Sequence, residues 1–576
     1  MDGEETSERT VGMTRLKQRL LVICAAGACA SVVILIPKQA SAQATWLVAG
    51  QNAGNTRNQP AETRISAATA HNLTTKWVFD AGGSVLPTPT TEPGAVYVPD
   101  NGGHIFKIDA ATGSEIWSKK IGDLAGVGGL VSRSSPAIVG GRLIVGTWSD
   151  RYNPVPSAWI LALDKQTGNL LWKTSLTVRD INDPTRTEDP TQFGARVFQS
   201  PVPSADGSRV FVGVSGLGDE SHAADDGFAC CTFKGAMFSL DTRTGKILWK
   251  TSTLPPDPDY AGVGVWGHAP VVDGKRGLVY VGTGNDFHLP NAVMTCVRNA
   301  VALGSTPQAA GMSCDPKFAQ NHFDSILALR QDTGAIVWDI HTNGFDAWNT
   351  ACTKDPPGKN CPSPHGPDED FGMAPQLFSV VLNGVQRDVL GIGRKAGEYR
   401  TLLLSPDPAQ PPQNFWGPVR VGPGTGGGSV TGLGGMEREC AVDGTRIYCA
   451  IINAINQSVT LVNGQTTTGG FWTALDARTG AVLWQTANPT AATALGPVSV
   501  ANGVVYVSSF DDNGSVFALN ASNGAVLASL TTGGSVGSGA AIADGVVFWG
   551  SGYALFSRGG PPLGSGNDKL FAFTLR

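Results

Sequence analysis

Apolar and polar positions alternate along this chain in short runs, and the runs come in pairs. "LALDKQTGNLLW" (161–172), "FSLDTRTGKILW" (238–249), "LALRQDTGAIVW" (327–338) and "TALDARTGAVLW" (473–484) each hold an alternating apolar stretch, a polar turn with Thr-Gly, and a second apolar stretch ending in Trp. "KIDAATGSEIW" (107–117) precedes them and a weaker copy, "FALNASNGAVLA" (517–528), follows. A period of two argues for strands, and a glycine supplies the positive φ of a tight turn, so each copy predicts a β-hairpin. Self-similarity at long, roughly regular spacing predicts one repeat array rather than several unlike domains.

A four-stranded propeller blade cannot bury both faces alone, and a large flat residue at a fixed place serves to dock it on its neighbour. Trp117, Trp172, Trp249, Trp338 and Trp484 fit that structural role. Trp77, in "LTTKWVFDAGG", reads as an outer strand with no hairpin before it, and the C-terminal "AAIADGVVFWGSG…KLFAFTLR" as strands without a closing Trp. Paired, the two ends complete one blade and leave no free edge. The interval from Trp338 to Trp484 has room for two blades, with "GRKAGEYRTLLLSPD…NFWGPV" (393–418) a degenerate copy ending at Trp416. The prediction is all-β: a single eight-bladed β-propeller over residues 43–576, docked through D-x-x-T-G-x-x-x-W repeats.

Composition agrees. Glycine makes up 74 of 576 residues, about 13% against a usual ~7%, as a turn-rich chain requires. A net charge of −5 gives no basic stripe, which argues against nucleic acid as a partner. At the N-terminus Arg15, Lys17 and Arg19 precede the apolar run 20–36, and Ala40 and Ala42 form an A-x-A site before Gln43. This predicts a signal peptide over 1–42 and a periplasmic or secreted protein with no stable membrane span after cleavage. The acidic opening points to translation from Met13, and the run also has the length of an uncleaved anchor. Neither Cys24 nor Cys29 follows a lipobox.

Without Cys24 and Cys29 the chain keeps eight cysteines, an even number suited to an oxidising compartment. Their spacing suggests local bridges: Cys296 with Cys314, Cys352 with Cys361, Cys440 with Cys449, and adjacent Cys230 with Cys231. There is no C-x-x-C-H haem site and no C-x-x-C pair of the kind that holds zinc.

Long insertions fall between Trp172 and Trp338, in the third and fourth blades, and insertions in a repeat array collect on one, often functional, face. The D-x-x-T-G-x-x-x-W repeats, with "VGVSGLGDE" (212–220), "CCTFKGAMFSLD" (230–241), "VWGHAPVVDGKRGLVYVGTGN" (265–285), "DSILAL" (324–329), "GFDAWNTAC" (344–352) and "RKAGEY" (394–399), resemble the pyrroloquinoline quinone (PQQ) dependent alcohol dehydrogenases, the polyvinyl alcohol dehydrogenases in particular. The resemblance spans about residues 45–576 and implies PQQ and Ca2+ as cofactors.

Such a cofactor needs an aromatic floor, cations for its carboxylates and a Lewis acid on its reactive carbonyl. The resemblance makes Trp266 the floor, against the plainer reading of a packed core ring. Lys395 is the cation for the quinone oxygens, and Arg133, in "SRSSPA", is placed to meet a carboxylate. Glu220 and Asn285 are calcium ligands by the same resemblance. Asp219 competes with Glu220, and a turn residue holding its own loop is the alternative for Asn285. Asp324 is the general base and a third metal ligand, with Asp315 and a purely structural role as rivals; several relatives carry the acid a few residues earlier, where this chain has Ala319 and Gln320. The Cys230–Cys231 pair is either a neighbour of the quinone or a loop clamp. Arg438 stands where the family often has Trp. Two other motifs are discounted: "DFG" at Asp370 lacks every other kinase signature, and the glycines of 422–435 lack the strand–helix context of a nucleotide loop.

The expectation is an exported alcohol-oxidising quinoprotein that acts on alcohols or polyvinyl alcohol and passes electrons to a soluble cytochrome c. The rivals are a non-catalytic PQQ-like propeller serving as an assembly scaffold and a polymer-binding module that has lost redox activity.

Overall fold

Eight four-stranded antiparallel sheets form among the residues that the computed structural model describes, 44–149, 155–177, 192–425, 433–553 and 564–576. In chain order the blades occupy 90–120, 137–175, 202–252, 271–341, 376–420, 441–487, 499–531 and 541–575. The eighth takes its outer strand, Leu73–Asp80, from the N-terminal side of the chain, pairing Leu73 with Leu575 and Asp80 with Lys569. The eight-bladed all-β architecture is the one predicted. The chain divides into units 1–42 and 43–576. The first lies outside the described residues, and with it the charged, apolar and A-x-A segments read as a signal peptide. No helix among the described residues is long and apolar enough to cross a membrane.

The docking repeat works as a clasp. In the turn after the third strand, Asp109, Asp164, Asp241 and Asp476 each accept hydrogen bonds on Oδ1 from two backbone N–H groups and a Thr hydroxyl. The tryptophan of the preceding blade then lies on the turn glycine. Trp172 Nε1 donates to Thr242 O at 3.0 Å, and a Cβ on Gly245 (φ 73°) would sit 2.4 Å from its ring. Trp77, Trp117, Trp249, Trp416 and Trp484 repeat the contact on Gly113, Gly168, Gly334, Gly480 and Gly524. Glycine is required twice over, for its positive φ and for the ring's close approach. The fifth blade lacks this turn. There Trp338 stacks on Tyr280 of its own blade, and ion pairs from Arg276 (2.9 Å) and Lys275 (2.8 Å) to Asp388 link the fourth and fifth blades.

Residues 44–59 form a strap along the inner strands. Trp46 exchanges backbone hydrogen bonds with Thr91 of the first blade; Leu47 O accepts from Ile138 of the second, Ala53 O from Val272 of the fourth, Gly54 O from Leu377 of the fifth and Thr56 O from Val442 of the sixth. Val500 N donates to Arg57 O in the seventh blade, and Gln59 Nε2 reaches Ile542 O in the eighth at 3.0 Å. Trp46, Asn55, Arg57 and Gln59 are fully buried. Arg57 donates to Ala49 O and Val498 O, both at 2.8 Å. Burial lowers its pKa to about 10, against the raising effect of Glu439.

All four expected disulfides are present. Cys296–Cys314 ties together the helices Asn291–Ala302 and Pro307–Cys314 of the fourth-blade insertion.

Candidate active site

A four-stranded antiparallel meander sends its connections alternately to two faces. The hairpins joining first to second and third to fourth strands, with all the Thr-Gly turns, share one face. The second-to-third loops and the blade-to-blade connections share the other. Every candidate residue lies on the latter: Arg133 between the first and second blades, Glu220, Cys230 and Cys231 in the third-blade loop, and Trp266 between the third and fourth blades. Asn285 and Asp324 bound the fourth-blade insertion, and Lys395 sits in the fifth-blade turn.

Trp266, Lys395 and Asp324 come together around four acids, Asp346, Asp368, Asp370 and Glu437. Trp266 Nε1 donates to Asp370 Oδ2 at 2.7 Å, and Lys395 Nζ stands 5.0 Å from the centroid of the indole. Lys395, 7% exposed, pairs with Asp368 Oδ1 at 2.8 Å and Asp370 Oδ1 at 2.9 Å. Burial lowers its pKa, but the charges of Asp368, Asp370 and Glu437 outweigh that and hold the ammonium well above the ordinary lysine range. Asp324 is fully buried with φ 44°, a left-handed conformation rarely adopted outside glycine. It is over-determined by its neighbours. Its N–H donates to Gly284 O at 3.1 Å, its C=O accepts from Thr342 N and Oγ1, and its Oδ2 accepts from Asn343 Nδ2 at 2.5 Å. Burial first, then the charges of Asp346 and Asp370, push its carboxyl well above the usual range. Asp346 accepts the N–H groups of Asp368 and Glu369, and burial pushes it up to about 6.

Asp368 Oδ2 and Glu437 Oε1 are buried without a hydrogen-bond partner among the described residues, and the Asp324 carboxyl lies within hydrogen-bonding reach of Asp346. A pocket with this excess of buried acid over base is suited to a hard cation taking oxygen ligands, which would draw the carboxylates back to the ionised form. A half-buried indole with a fixed ammonium over its ring suits a flat, anionic, conjugated ligand.

Asn285, Glu220 and the vicinal cysteines are tied to the segment 345–352, which also carries Asp346. Asn285 Nδ2 donates to Trp348 O at 2.7 Å and to Asp286 O at 3.0 Å, which fixes the amide with its oxygen opposite those carbonyls. Thr350 Oγ1 donates to the backbone oxygen of Glu220, and Asn349 Nδ2 lies 4.0 Å from Cys230 Sγ. Asp219, the competitor of Glu220, is engaged as a clamp: its Oδ2 accepts the N–H groups of Thr232 (2.8 Å) and Phe233 (2.7 Å), just past the cysteine pair. Asp315, the rival of Asp324, belongs to a separate network, accepting from Tyr260 OH at 2.5 Å and lying 3.4 Å from Asn321 Nδ2. Arg133 lies among the rings of Trp148, Phe198 and Tyr553 at 4.9 to 5.2 Å, donating to Tyr553 OH. Arg438 Nη1 lies 3.5 Å from His268 Nε2, whose Nδ1 pairs with Glu439 at 2.9 Å, a polar link down to Arg57 in the strap.

Asp346, Asp368, Asp370 and Glu437 escaped the sequence reading. Asp370 was passed over within a "DFG" that is a kinase decoy; the usable signal was a run of acids in a blade-to-blade connection, just ahead of the inner strand Gln376–Leu382.

A protein-family model described as "Outer membrane protein assembly factor BamB" matches residues 38–213, 156–345 and 469–557. The chain is 29% identical to the polyvinylalcohol dehydrogenase of Pseudomonas sp, over 92% of this chain and 77% of the relative. It is 26% identical to that of Sphingopyxis sp. (strain 113P3), over 91% and 75%. The crystal structure of a quinohemoprotein alcohol dehydrogenase from Comamonas testosteroni superimposes with a TM-score of 0.60 at 18% identity, covering 93% of this chain and 81% of that one, and shares its fold. By these matches the chain belongs to the PQQ-type propeller family of that model, and by sequence it stands among the quinoprotein alcohol dehydrogenases.

Proposed function

We propose that this chain is an exported, PQQ- and calcium-dependent dehydrogenase that oxidises alcohols: the secondary hydroxyls of polyvinyl alcohol and similar compounds to ketones, and primary alcohols to aldehydes. A separate soluble cytochrome c takes the electrons. The observation that carries the reading is the Trp266–Asp370–Lys395 arrangement with buried Asp324 beside it. Trp266 would lie under PQQ, Lys395 and Arg133 would meet its oxygens and carboxylates, and Cys230 and Cys231 would lie beside it. Glu220, Asn285 and Asp324 would hold Ca2+. Bound PQQ supplies a quinone that accepts a hydride equivalent, and bound calcium supplies the positive charge that polarises it.

The protein's own part is proton handling and orientation. Asp324, ionised, takes the hydroxyl proton of the alcohol, while Asn343 holds its Oδ2 in place. Lys395, kept protonated by its acids, presents a fixed cation over the indole. Asp370 bridges the two by accepting from Trp266 and pairing with Lys395, so floor and cation keep one relative geometry. The 576 residues hold no C-x-x-C-H motif, and a haem acceptor outside them is therefore part of the proposal. Export over a cleaved 1–42 segment is supported by the pairing of all eight remaining cysteines.

The test is titration of the 43–576 protein with PQQ and calcium, read by quenching of tryptophan fluorescence, then dye-linked oxidation of polyvinyl alcohol and small secondary alcohols. Activity that needs both cofactors supports the reading. Tight PQQ binding without turnover of any alcohol reduces it to a degenerate site, and no binding moves the chain to the assembly-scaffold reading.

A further inference from the structure

Behind Asp324, on the fourth blade, two imidazoles and a carboxylate converge. Asp339 and His341 are two apart on the outer strand Ile336–His341, so they share a face. His322 reaches the same spot from the segment ahead of the strand Ser325–Arg330. His322 Nδ1 is 2.9 Å and His341 Nε2 3.0 Å from Asp339 Oδ2, and the three ligand atoms all lie within 4.8 Å of one another. The side chains are 13%, 18% and 28% exposed for His322, His341 and Asp339, sheltered but reachable. Phe318 stacks on His341 at 4.6 Å and Phe323 meets its edge at 5.6 Å, which fixes the ring. The backbone of His322 is pinned on both sides, its N–H donating to Thr253 O at 3.0 Å and its C=O accepting from Thr283 Oγ1 at 2.5 Å.

We propose that His322, Asp339 and His341 form a binding site for a divalent transition-metal ion of the zinc class, separate from the acidic pocket. Metal–ligand bonds of about 2.0–2.2 Å place neighbouring ligand atoms roughly 3–3.5 Å apart, so the observed 2.9 and 3.0 Å contacts need open by only a few tenths of an ångström. Two imidazoles with one carboxylate is a donor set that favours zinc, nickel, copper or iron over calcium or magnesium, and it leaves coordination positions for water.

The site's position gives it a purpose. His322 lies two residues before Asp324, and His341 lies two before Asn343, which donates to Asp324 Oδ2; between them Thr342 donates twice to Asp324 O. An ion joining His322 to His341 therefore staples the two segments that hold Asp324 in its left-handed conformation. The stapling role rests on the reading of Asp324 as the base; metal binding itself does not.

The test uses Zn2+, then Co2+, on chelator-treated 43–576 protein in excess calcium, so that oxygen-rich sites are filled. Calorimetry is expected to show one equivalent bound with a Kd in the micromolar range or tighter, and Co2+ to give visible ligand-field absorption. Asp339→Asn and His341→Gln are each expected to weaken binding about a hundredfold while far-ultraviolet circular dichroism stays unchanged. His322→Gln serves the same comparison if either of those variants fails to fold. Wild-type protein that takes up no Zn2+, or variants that retain the full equivalent, would overturn the proposal and leave a hydrogen-bonded His–Asp–His triad. Zinc binding that persists in Asp324→Asn, itself inactive, separates the metal site from the catalytic reading.

Discussion

The two faces of the ring are built by opposite rules. On the turn face one device recurs from blade to blade: an Asp-anchored turn, a glycine without room for a Cβ, and a tryptophan from the neighbour laid upon it. On the loop face nothing recurs. Trp266 comes from the connection between the third and fourth blades, Asp324 from the fourth-blade insertion, Asp346 and Asp370 from the connection between the fourth and fifth blades, and Lys395 from the fifth-blade turn, and they meet only because the ring brings those segments together. Repetition serves assembly, and the unrepeated face is free to carry strain, buried charge and chemistry.

That contrast can be broken by substitutions that should each disturb one face alone. The largest effect belongs to Asp324→Asn, which removes the proton acceptor and keeps the shape. Turnover by the PQQ- and calcium-loaded protein is expected to fall about 10²–10⁴-fold with the melting temperature unmoved. A parallel loss of stability would show that Asp324 is structural. Next comes Trp172→Ala on the turn face, expected to cost about 3–5 kcal/mol in denaturant unfolding while kcat of the folded fraction is retained. Gly245→Ala follows, at roughly 1–3 kcal/mol, because φ is 73° and the Trp172 ring leaves no space for the methyl. Gly140→Ala, where φ is also positive but nothing lies within 4 Å, should cost less, which isolates the ring's share.

The smallest effect tests the one blade junction where ions replace the clasp. Burial raises the pKa of Asp388, but hydrogen bonds from Lys275, Arg276 and Ser379 outweigh it and bring the value to about 2, below the ordinary 3.8. A depressed carboxylate stabilises the fold above its unfolded pKa, and that contribution disappears as pH falls through about 2. Asp388→Asn should therefore be less stable near neutrality by about 1–2 kcal/mol, with the gap closing toward pH 2. A gap that stays constant with pH would assign the effect to packing.

The sequence was most legible where the structure repeats. Alternation and the Thr-Gly turns predicted eight blades because each copy states the same local physics. The site was legible only in part. Trp266, Lys395 and Asp324 sit in distinctive local motifs, whereas Asp346 and Asp368 lie in the long connection between the fourth and fifth blades and act through neighbours more than twenty residues away in the chain. His322, Asp339 and His341 have no metal-motif spacing, since one ligand comes from a loop and two from a strand. The strap left no pattern either: its contacts to the blades are mostly backbone to backbone, which constrain side chains little.

That strap decides how a long substrate can approach. It starts at Ala44 beside Asp544, the chain after it returns through Arg64 and Ile65 to Asp544 and Asn502, and between these points it runs across the inner strands of seven blades with Trp46, Asn55 and Arg57 buried. A polymer cannot thread through a ring corked in this way; it has to drape across the open mouth. For the polyhydroxylated chain that we propose as substrate, hydroxyls in the middle are then as reachable as those at a terminus. Oxidation should scatter along the chain at random instead of advancing from an end.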